Sequence, residues 1–306
     1  MFKFLRTITY FSIPFFIWAL IVVLVDPFNY FNKIHLIERN AKINAENLNT
    51  LLYRSIDFVN RPTNNILIGD SRTDALPLKL IEKYSKKEFK KLNTNATKLN
   101  EIFELFYMAN ERKKIDKVVI GINFNMFNKF SYENRVNSIK KIINNPFLYI
   151  YNKDVLEACY FVLRSHFFNI DLDSKPKMNR EEFWKWTVDV KGDHWYGKYA
   201  FPNTLYNDLI EFDDFTKNNK TEVIFIIVPH HKDFHQRLID YKLLYEEKRF
   251  KELMSSLNAK VYDFDYPNSI TQNSINFIDP IHYNDSIGKL MVEEIWNKKI
   301  LIGKKL

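Results

Sequence analysis

Three residues of this chain have the types and spacing of a nucleophile, a base and an orienting acid. Ser71 follows an apolar run and a Gly-Asp pair in the stretch "ILIGDSRT", and Asp279 stands three residues before His282 in "DPIHYND". A serine hydroxyl is a weak nucleophile until a base removes its proton. A carboxylate beside a histidine can fix the orientation and tautomer of the imidazole. The pattern predicts acyl-transfer chemistry, with Ser71 as nucleophile, His282 as general base and Asp279 orienting His282.

A plainer interpretation exists for each of these residues. Asp70 and Ser71 belong to the residue types that cap helices, and an Asp-x-x-His spacing also arises by chance. Their placement along the chain favours catalysis. Each stretch follows a predicted strand, and the carboxyl ends of parallel strands meet at one edge of a sheet.

A third stretch supplies a candidate donor for the oxyanion that such chemistry creates. Asn123 closes the stretch "IGIN" at the end of a predicted strand. Its side-chain amide, together with the backbone N–H of Ser71, is predicted to stabilise the oxyanion. The alternative is a turn asparagine, since asparagine is abundant in this chain.

Three further side chains are weaker candidates for substrate binding. Arg72 either neutralises an acidic substrate group or pairs with a surface carboxylate. His230 and His231 follow the predicted strand Glu222–Pro229 and are expected in the substrate cleft or on the surface. His231 and His235 are four residues apart, so on a helix they would share a face that could hold zinc. No His-Glu-x-x-His pattern or cysteine ligand accompanies them, and the sequence predicts neither a metal nor a cofactor.

Apolar runs and helical periodicity alternate along the rest of the chain. This alternation predicts right-handed crossovers and a parallel sheet covered by helices on both faces, a three-layer α/β/α fold. The predicted strands are Asn65–Gly69, Glu88–Leu92, Lys117–Asn123, Glu222–Pro229 and Lys260–Phe264. The predicted helices are Thr73–Tyr84, Leu99–Arg112, Leu205–Asn218, Phe234–Leu257 and Asp285–Lys298.

The N-terminus has the composition of a membrane anchor. Thr7–Val25 carries no charge, and as a helix it would be about 28 Å long, close to the ~30 Å of bilayer hydrocarbon. Lys3 and Arg6 precede it, so the positive-inside rule places the N-terminus in the cytoplasm and the remainder outside. A cleaved signal peptide is the alternative, but no small-residue cleavage site follows the apolar run. The predicted organisation is an anchor over 1–26, a helical lead-in over 27–63, and a catalytic domain over 64–306 with an insertion at about 125–204.

Composition excludes several other classes of protein. The 306 residues contain six glycines and ten prolines, too few for collagen-like or disordered sequence. A single cysteine, Cys159, excludes an intramolecular disulfide. The net charge of +8 comes from dispersed lysines, which favours a basic surface near an anionic membrane over a nucleic-acid groove. The aromatic stretch 181–202 either stacks on sugar rings or packs on the core.

In these stretches the chain resembles the SGNH/GDSL hydrolase superfamily. Ser71 in "GDSR", Asn123 in "GIN" and Asp279 with His282 in "DPIH" match three of its four blocks, over roughly residues 64–298. The glycine block has no counterpart, so a backbone N–H of the turn 95–98 is expected to replace it. The G-x-S-x-G elbow of the α/β-hydrolases is absent, since position 73 is threonine.

The resemblance implies a flavodoxin-like α/β/α fold and acyl-ester chemistry. With the N-terminal anchor, it implies an envelope enzyme that acts on acyl esters of cell-surface glycans. Water as acceptor would make it an esterase, and a sugar hydroxyl would make it an O-acyltransferase supplied by a membrane-bound acyl donor. No nucleic-acid partner is expected. The alternative is a non-catalytic protein of the same fold that binds glycans or assists assembly of the cell envelope.

Overall fold

The computed structural model describes residues 1–33, 35–168, 178–297, 299 and 301–306. Its α-helices are α1 Phe2–Val25, α2 Ile43–Leu48, α3 Thr50–Asn60, α4 Leu78–Ser85, α5 Leu99–Arg112, α6 Arg135–Asn144, α7 Pro146–Ile150, α8 Lys153–Phe168, α9 Arg180–Trp186, α10 Gly192–Tyr196, α11 Asn203–Asn218, α12 Lys232–Asp240, α13 Leu244–Ser256 and α14 Asp285–Asn297. Its strands are β1 Asn65–Ile68, β2 Lys90–Lys91, β3 Lys117–Ile122, β4 Glu222–Ile227, β5 Lys260–Asp263, β6 Phe277–Asp279, β7 His282–Tyr283 and β8 Lys304–Lys305.

Five parallel strands form the body of a six-stranded sheet in the order β2-β1-β3-β4-β5-β8. β3 and β4 pair over their full six-residue length, and all but the first residue of each strand is buried. Such continuous apolar runs are typical of strands that are covered on both faces. The predicted parallel α/β sheet is confirmed, with one addition: β8 closes the edge antiparallel to β5.

Helices cover the two faces of this sheet. On one face, Leu67 and Val119 pack in a single apolar cluster with residues of α4 and α14. On the other face, Phe212 of α11 packs against Phe225 of β4, with ring centroids 6.3 Å apart. The three-layer arrangement brings the carboxyl ends of β1, β3 and β4 to one edge of the sheet.

Two predicted helices are shorter than the sequence suggested. Thr73–Tyr84 divides into a 3₁₀ turn, Ser71–Ala75, and α4, because Pro77 lacks a backbone N–H and stands at the helix N-cap. Phe234–Leu257 divides into α12 and α13 around Lys242, which has a left-handed φ of 57°. The last predicted residue of the closing helix, Lys298, lies outside the described residues.

The chain divides into two compact units. One comprises 1–61 and 135–176, and the other comprises 62–134 and 177–306. The first unit contains α1–α3 and α6–α8, so the part of the insertion that forms α6–α8 groups with the N-terminal helices. The segment 169–177 of the insertion lies outside the described residues. The second unit contains the sheet and α9–α14.

By length and composition, α1 can cross a membrane, and a signal sequence passes the same test. Its C-terminal end is packed inside the first unit, where Val22 and Val25 are buried. The chain then turns at Asp26, whose carboxylate accepts N–H bonds from Tyr30 at 2.7 Å and from Asn32 at 2.9 Å.

Candidate active site

Ser71 stands directly after the first central strand. β1 ends at Ile68, and Ser71 begins the 3₁₀ turn that follows. Asp70 caps this turn, because its Oδ1 atom accepts the backbone N–H of Arg72 at 3.0 Å. Since Asp70 performs the capping, the hydroxyl of Ser71 is free for another partner.

Two glycines allow the turn to approach the sheet closely. A Cβ atom on Gly69 would lie 2.0 Å from Thr73 Oγ1, and one on Gly121 would lie 2.4 Å from the same atom. Any larger residue at either position would push the Ser71 turn away from β1 and β3. The glycines of the "IGD" and "IGI" stretches therefore set the position of Ser71.

Asp279 and His282 come from a small β-hairpin. β6 and β7 are antiparallel, and Asp279 is the register partner of His282 across the tip. The Asp279 Oδ1 atom accepts the backbone N–H groups of Ile281 at 2.9 Å and of His282 at 3.0 Å. The hairpin thus holds the carboxylate and the imidazole side by side.

The three side chains form a continuous hydrogen-bonded chain. His282 Nδ1 lies 2.7 Å from Asp279 Oδ2, and His282 Nε2 lies 2.8 Å from Ser71 Oγ. A carboxylate can only accept, so Nδ1 carries the proton and Nε2 accepts from the serine hydroxyl. This is the tautomer in which Nε2 can remove the proton of Ser71.

The electrostatic surroundings keep Asp279 ionised. Burial would raise its pKa, but hydrogen bonds and charge from His282, the Ile281 N–H and the charge of Lys191 lower the pKa below its usual value. Lys191 ends a π-helical turn, Thr187–Lys191, and its ammonium lies over the rings of Phe183 and Trp186. Burial lowers the pKa of Lys191, while the charge of Asp279 opposes that shift.

Arg72 is buried and pairs with a carboxylate of the protein, which agrees with the second of its two interpretations except that the pair is not at the surface. Only 1% of its surface is exposed. Its Nε donates to Asp70 at 3.0 and 2.8 Å, and its Nη2 lies 2.6 Å from Asp70 Oδ2. Nη1 and Nη2 each donate to Asn125 Oδ1 at 3.2 Å, and Nη1 lies 2.5 Å from His230 Nε2. All five guanidinium N–H groups are therefore engaged within the protein.

His230 is also buried rather than placed in a substrate cleft. Its Nδ1 lies 3.0 Å from Asp265 Oδ2, and its backbone N–H donates to Asp265 Oδ1 at 2.8 Å. Because Nε2 accepts from Arg72, His230 is neutral with its proton on Nδ1. Burial lowers the pKa of His230 and outweighs the opposing charge of Asp265.

His231 is buried too, and it caps a helix. Its Nδ1 atom accepts the backbone N–H of Asp233 at 3.2 Å at the start of α12. Its ring packs against Trp184 and Phe277. In the parts of the chain that the structure describes, no group of three His, Cys, Asp or Glu side chains is arranged to hold a metal.

Asn123 does not offer its amide to the site. It is fully buried, and its Nδ2 donates to Val228 O at 2.6 Å and to Asp265 Oδ2 at 3.3 Å. Val228 O and Asp265 Oδ2 can only accept hydrogen bonds, so the Nδ2 group of Asn123, and not its Oδ1 atom, faces them. Both amide hydrogens are used to tie β3 to the loops after β4 and β5, so the predicted oxyanion role of this side chain is wrong in this geometry.

The backbone N–H of Ser71 is the candidate oxyanion donor. Among the described residues, no backbone acceptor pairs with the Ser71 N–H, which starts the 3₁₀ turn. The turn 94–97 follows β2 at the same sheet edge, and Thr97 Oγ1 closes it on Thr94 O at 2.8 Å. Ala96 in this turn has a left-handed φ of 53°, a conformation that favours glycine.

Asn125 and Trp195 contact Arg72, the neighbour of Ser71, and sequence reasoning missed both of them. Asn125 Oδ1 receives both Arg72 bonds, so its Nδ2 group lies on the side away from the guanidinium. The Trp195 ring stands 5.4 Å from the Arg72 guanidinium carbon. Both line a cavity of about 470 Å³ together with Lys98, Asn128, His194 and Lys198. The sequence does show three asparagines after β3, at positions 123, 125 and 128. Their spacing alone could not show that Asn123 is fully buried while Asn125 lines the cavity.

Part of the aromatic stretch 181–202 packs on the core, and its stacking on sugar rings stays a prediction. Tyr196 is buried, and its ring packs beside Phe124 and Phe234. Trp195 is half-buried at the cavity, and Asn128 Nδ2 donates to its carbonyl oxygen at 3.2 Å. One residue of the segment therefore packs on the core while its neighbour faces the cavity.

No family model and no curated protein matches the sequence. Among solved structures, the chain is similar to a candidate platelet activating factor from Streptococcus pneumonia, with 13% identity, a TM-score of 0.42, and coverage of 81% of this chain and 90% of that one. It is similar to a candidate lipolytic protein of the G-D-S-L family from Desulfitobacterium hafniense, with 11% identity, a TM-score of 0.38, and coverage of 76% and 98%. A catalytic mutant of an acetylxylan esterase from Geobacillus stearothermophilus has 9% identity, a TM-score of 0.41, and coverage of 78% and 94%. Likenesses this distant assign no activity.

The geometry of the site defines what it can do. A serine hydroxyl, a correctly tautomerised imidazole and an ionised carboxylate lie in hydrogen-bond contact at the carboxyl edge of a parallel sheet. This is the arrangement of a nucleophile with its base and orienting acid. It can attack an acyl carbonyl and return the proton to a leaving alcohol.

Proposed function

We propose that this protein is a membrane-anchored, extracytoplasmic serine esterase or O-acyltransferase that acts on acyl esters, acetyl esters in particular, of cell-envelope glycans. The observation that carries the proposal is the 2.8 Å contact between Ser71 Oγ and His282 Nε2, backed by the 2.7 Å contact between His282 and Asp279. A helix cap or a buried polar cluster does not require all three groups in this order.

In the proposed reaction, Ser71 Oγ attacks the ester carbonyl carbon while His282 Nε2 takes the hydroxyl proton. The oxyanion that forms is stabilised by the backbone N–H of Ser71. Collapse of the tetrahedral intermediate breaks the ester C–O bond, and His282 gives its proton to the departing alcohol. Water or a sugar hydroxyl then attacks the acyl-serine, again with His282 as base, and releases Ser71.

Two features support a glycan as substrate. The cavity is lined by Asn125, which accepts from Arg72 next to Ser71, and its volume of about 470 Å³ is within the ~300–1,000 Å³ of typical ligand sites. An aromatic ring, Trp195, lines it together with the amide side chains Asn125 and Asn128. A ring face with polar groups around it suits a sugar, which has both apolar C–H faces and hydroxyl groups.

The packing of α1 supports an anchor that is retained rather than cleaved. Val22 and Val25 are buried inside the N-terminal unit, and Asp26 accepts three backbone N–H bonds just after the helix. Removal of α1 would uncover the apolar surface that these residues fill. Lys3 and Arg6 at the other end support an N-terminus in the cytoplasm.

The test is hydrolysis of a short-chain aryl acetate by the full chain in detergent micelles. We expect measurable turnover in the wild type and in Ser255→Ala, a control at an exposed serine of α13, and none in Ser71→Ala. A fluorophosphonate probe should label Ser71 covalently. Turnover in Ser71→Ala equal to that of the wild type would refute the proposed nucleophile.

A non-catalytic glycan-binding or assembly protein is the second candidate. The observation that favours it is the engaged amide of Asn123, which removes one expected oxyanion donor. The two candidates separate cleanly in the labelling experiment. Folded protein that binds a glycan and resists the fluorophosphonate probe would support the binding protein.

A further inference from the structure

A short apolar helix of the N-terminal unit is exposed beside α1. α7 and the residue that follows it present large apolar side chains to the outside: Phe147 is 72% exposed, Leu148 46% and Tyr151 43%. Apolar side chains clustered on one exposed helix are unusual for a surface in water and mark an interaction site.

Contacts with α1 fix the height of α7 along that helix. The Tyr151 ring lies 6.4 Å from the Phe15 ring and 6.3 Å from the Trp18 ring. Two residues earlier, the Tyr149 hydroxyl donates to Asp26 Oδ1 at 3.1 Å. α7 and Tyr151 therefore lie beside the segment of α1 between Phe15 and Asp26, a length of about 17 Å at 1.5 Å per residue.

That segment is the outer end of the proposed membrane span. If Lys3 and Arg6 lie at the cytoplasmic surface, about 20 residues of helix cross the hydrocarbon and α1 emerges near Val25. The tip of α7 is then level with the acyl chains of the outer leaflet, because Tyr151 lies beside Trp18 and Phe15, about 10–15 Å below Val25 along α1. Its exposed side chains point to lipid at that height.

The backbone of this region is suited to such an environment. Asn145 Oδ1 accepts the N–H of Phe147 at 3.0 Å, and Asn152 Oδ1 accepts the N–H groups of Asp154 and Val155 at 2.8 and 3.2 Å. The backbone N–H groups of Tyr149, Tyr151 and Asn152 bond to carbonyl oxygens of the same segment. Satisfied backbone groups are what a segment needs in order to enter a bilayer interface.

Basic residues flank the apolar tip. Lys140 and Lys141 lie in the last turns of α6, and Lys153 begins α8. Lysines beside an apolar surface at this height can reach anionic headgroups with their ammonium groups. Two acidic residues on α8, Asp154 and Glu157, partly offset this charge, so the apolar side chains make the main contribution.

We propose that α7, with Phe147, Leu148 and Tyr151, docks into the outer leaflet as a second membrane contact beside α1. The proposal rests on the proposed membrane anchor, because the height of α7 is measured along α1. The occupant of the exposed apolar surface is the lipid of an anionic bilayer. A single helix tethers a domain loosely, whereas two adjacent contacts hold the N-terminal unit in one orientation relative to the membrane.

The experiment places nitroxide labels on the full chain in nanodiscs that contain anionic phospholipid. The natural Cys159 is buried and burial raises the pKa of its thiol to about 12, so introduced cysteines can be labelled selectively. The test site is Phe147→Cys. Phe11→Cys, at an exposed position of α1, reports whether α1 spans. Phe167→Cys is an exposed aromatic control about 21 Å along α8 from Lys153.

The readout is collision of each label with oxygen, which concentrates in lipid, and with a water-soluble nickel complex. We expect labels at Phe147→Cys and Phe11→Cys to meet oxygen, and the label at Phe167→Cys to meet nickel. A label at Phe147→Cys that meets nickel, while Phe11→Cys meets oxygen, would refute the second contact and leave the anchor standing. Nickel access at both positions would refute the contact and the anchor together. Protection of Phe147→Cys from both reagents would indicate a protein partner and overturn the proposal.

Discussion

His282 Nε2 lies 2.8 Å from Ser71 Oγ, although 211 residues separate the two in the chain. Ser71 is held by the first sheet strand and His282 by a separate two-stranded hairpin. This hydrogen bond joins the turn after β1 to the β6–β7 hairpin, and capping of a helix by a nearby residue does not explain a contact between such distant elements. It makes the following expectations specific.

The first prediction is that losses at Ser71 and His282 do not add. Ser71→Ala and His282→Ala should each abolish ester turnover to the same background, and the double variant should lose no more, because nucleophile and base act as one unit. Since Asp70 and not Ser71 caps the turn, Ser71→Ala should change the free energy of unfolding by less than about 0.5 kcal/mol. Turnover and denaturant unfolding of all three variants provide the measurement. Additive losses would argue against a shared proton transfer.

Asp279→Asn is expected to be less damaging to turnover than His282→Ala. The substitution retains the size of the side chain but can place a donor against His282 Nδ1, which disturbs the tautomer while the base remains. The low pKa of Asp279 also means that the carboxylate persists well below neutral pH in the wild type. The rate of aryl acetate hydrolysis measures the effect, with Asp285→Asn as a surface control. An activity equal to that of the wild type would show that His282 needs no orienting acid.

Asn123→Ala should affect stability more than chemistry. Its Nδ2 group satisfies Val228 O and Asp265 Oδ2, and leaving these buried acceptors unpaired costs about 1–3 kcal/mol. If the amide were an oxyanion donor instead, turnover would fall on the order of 10²–10³-fold at unchanged stability. The free energy of unfolding and the turnover per folded molecule distinguish the two roles. Asn128→Ala provides a comparison at a neighbouring buried asparagine.

Arg72→Ala should destabilise the protein severely. The guanidinium is buried against Asp70, and removal of one partner of a buried pair costs about 3–5 kcal/mol. Arg249→Ala, which breaks the partly exposed pair with Glu246, should cost about 0–1 kcal/mol. Thermal unfolding of both variants is the measurement. A stable Arg72→Ala protein with a raised KM for acidic esters would restore the predicted substrate contact.

The buried histidine His230 should make stability depend on pH. Because its pKa is lowered in the folded chain, the unfolded state binds more protons below the ordinary value of 6.5, and stability falls as the pH decreases. His230→Gln should reduce the slope of unfolding free energy between about pH 6.5 and pH 5 by up to about 1.4 kcal/mol per pH unit. His231, whose pKa is also lowered by burial, should retain the remaining slope. An unchanged slope in His230→Gln would show that His230 titrates normally.

Local sequence predicted the parts of the site that depend on local geometry. The run before Gly69 predicted a buried strand, and the three-residue spacing of Asp279 and His282 predicted their contact. These two predictions are correct because residues close in the sequence determine the burial of a short apolar strand and the distance between two side chains across a hairpin tip. The sequence predicted continuous helices through Pro77 and Lys242, because helical periodicity continues through both positions. The structure divides both helices there.

The assignment of individual side chains required the tertiary structure. The sequence left Arg72 and His230 between substrate contact and a surface role, and Asn123 between an oxyanion donor and a turn residue. Long-range partners decide otherwise: His230 contacts Arg72, Asp265 contacts His230, and Val228 O accepts from Asn123. No pattern along the chain encodes such pairings, because the partners come from different crossovers of the sheet.

The sequence by itself determined the alternation of strands and helices, the apolar N-terminal helix and the three residues Ser71, Asp279 and His282. Those features follow from periodicity, composition and short spacing, which neighbouring residues control. Only the tertiary structure decided that Asn123 is buried, that Asn125 and Trp195 line the cavity, and that α7 and α8 pack against α1. Whether a side chain is buried depends on which distant segments pack against it. The pattern of neighbouring residues in the sequence does not specify those segments.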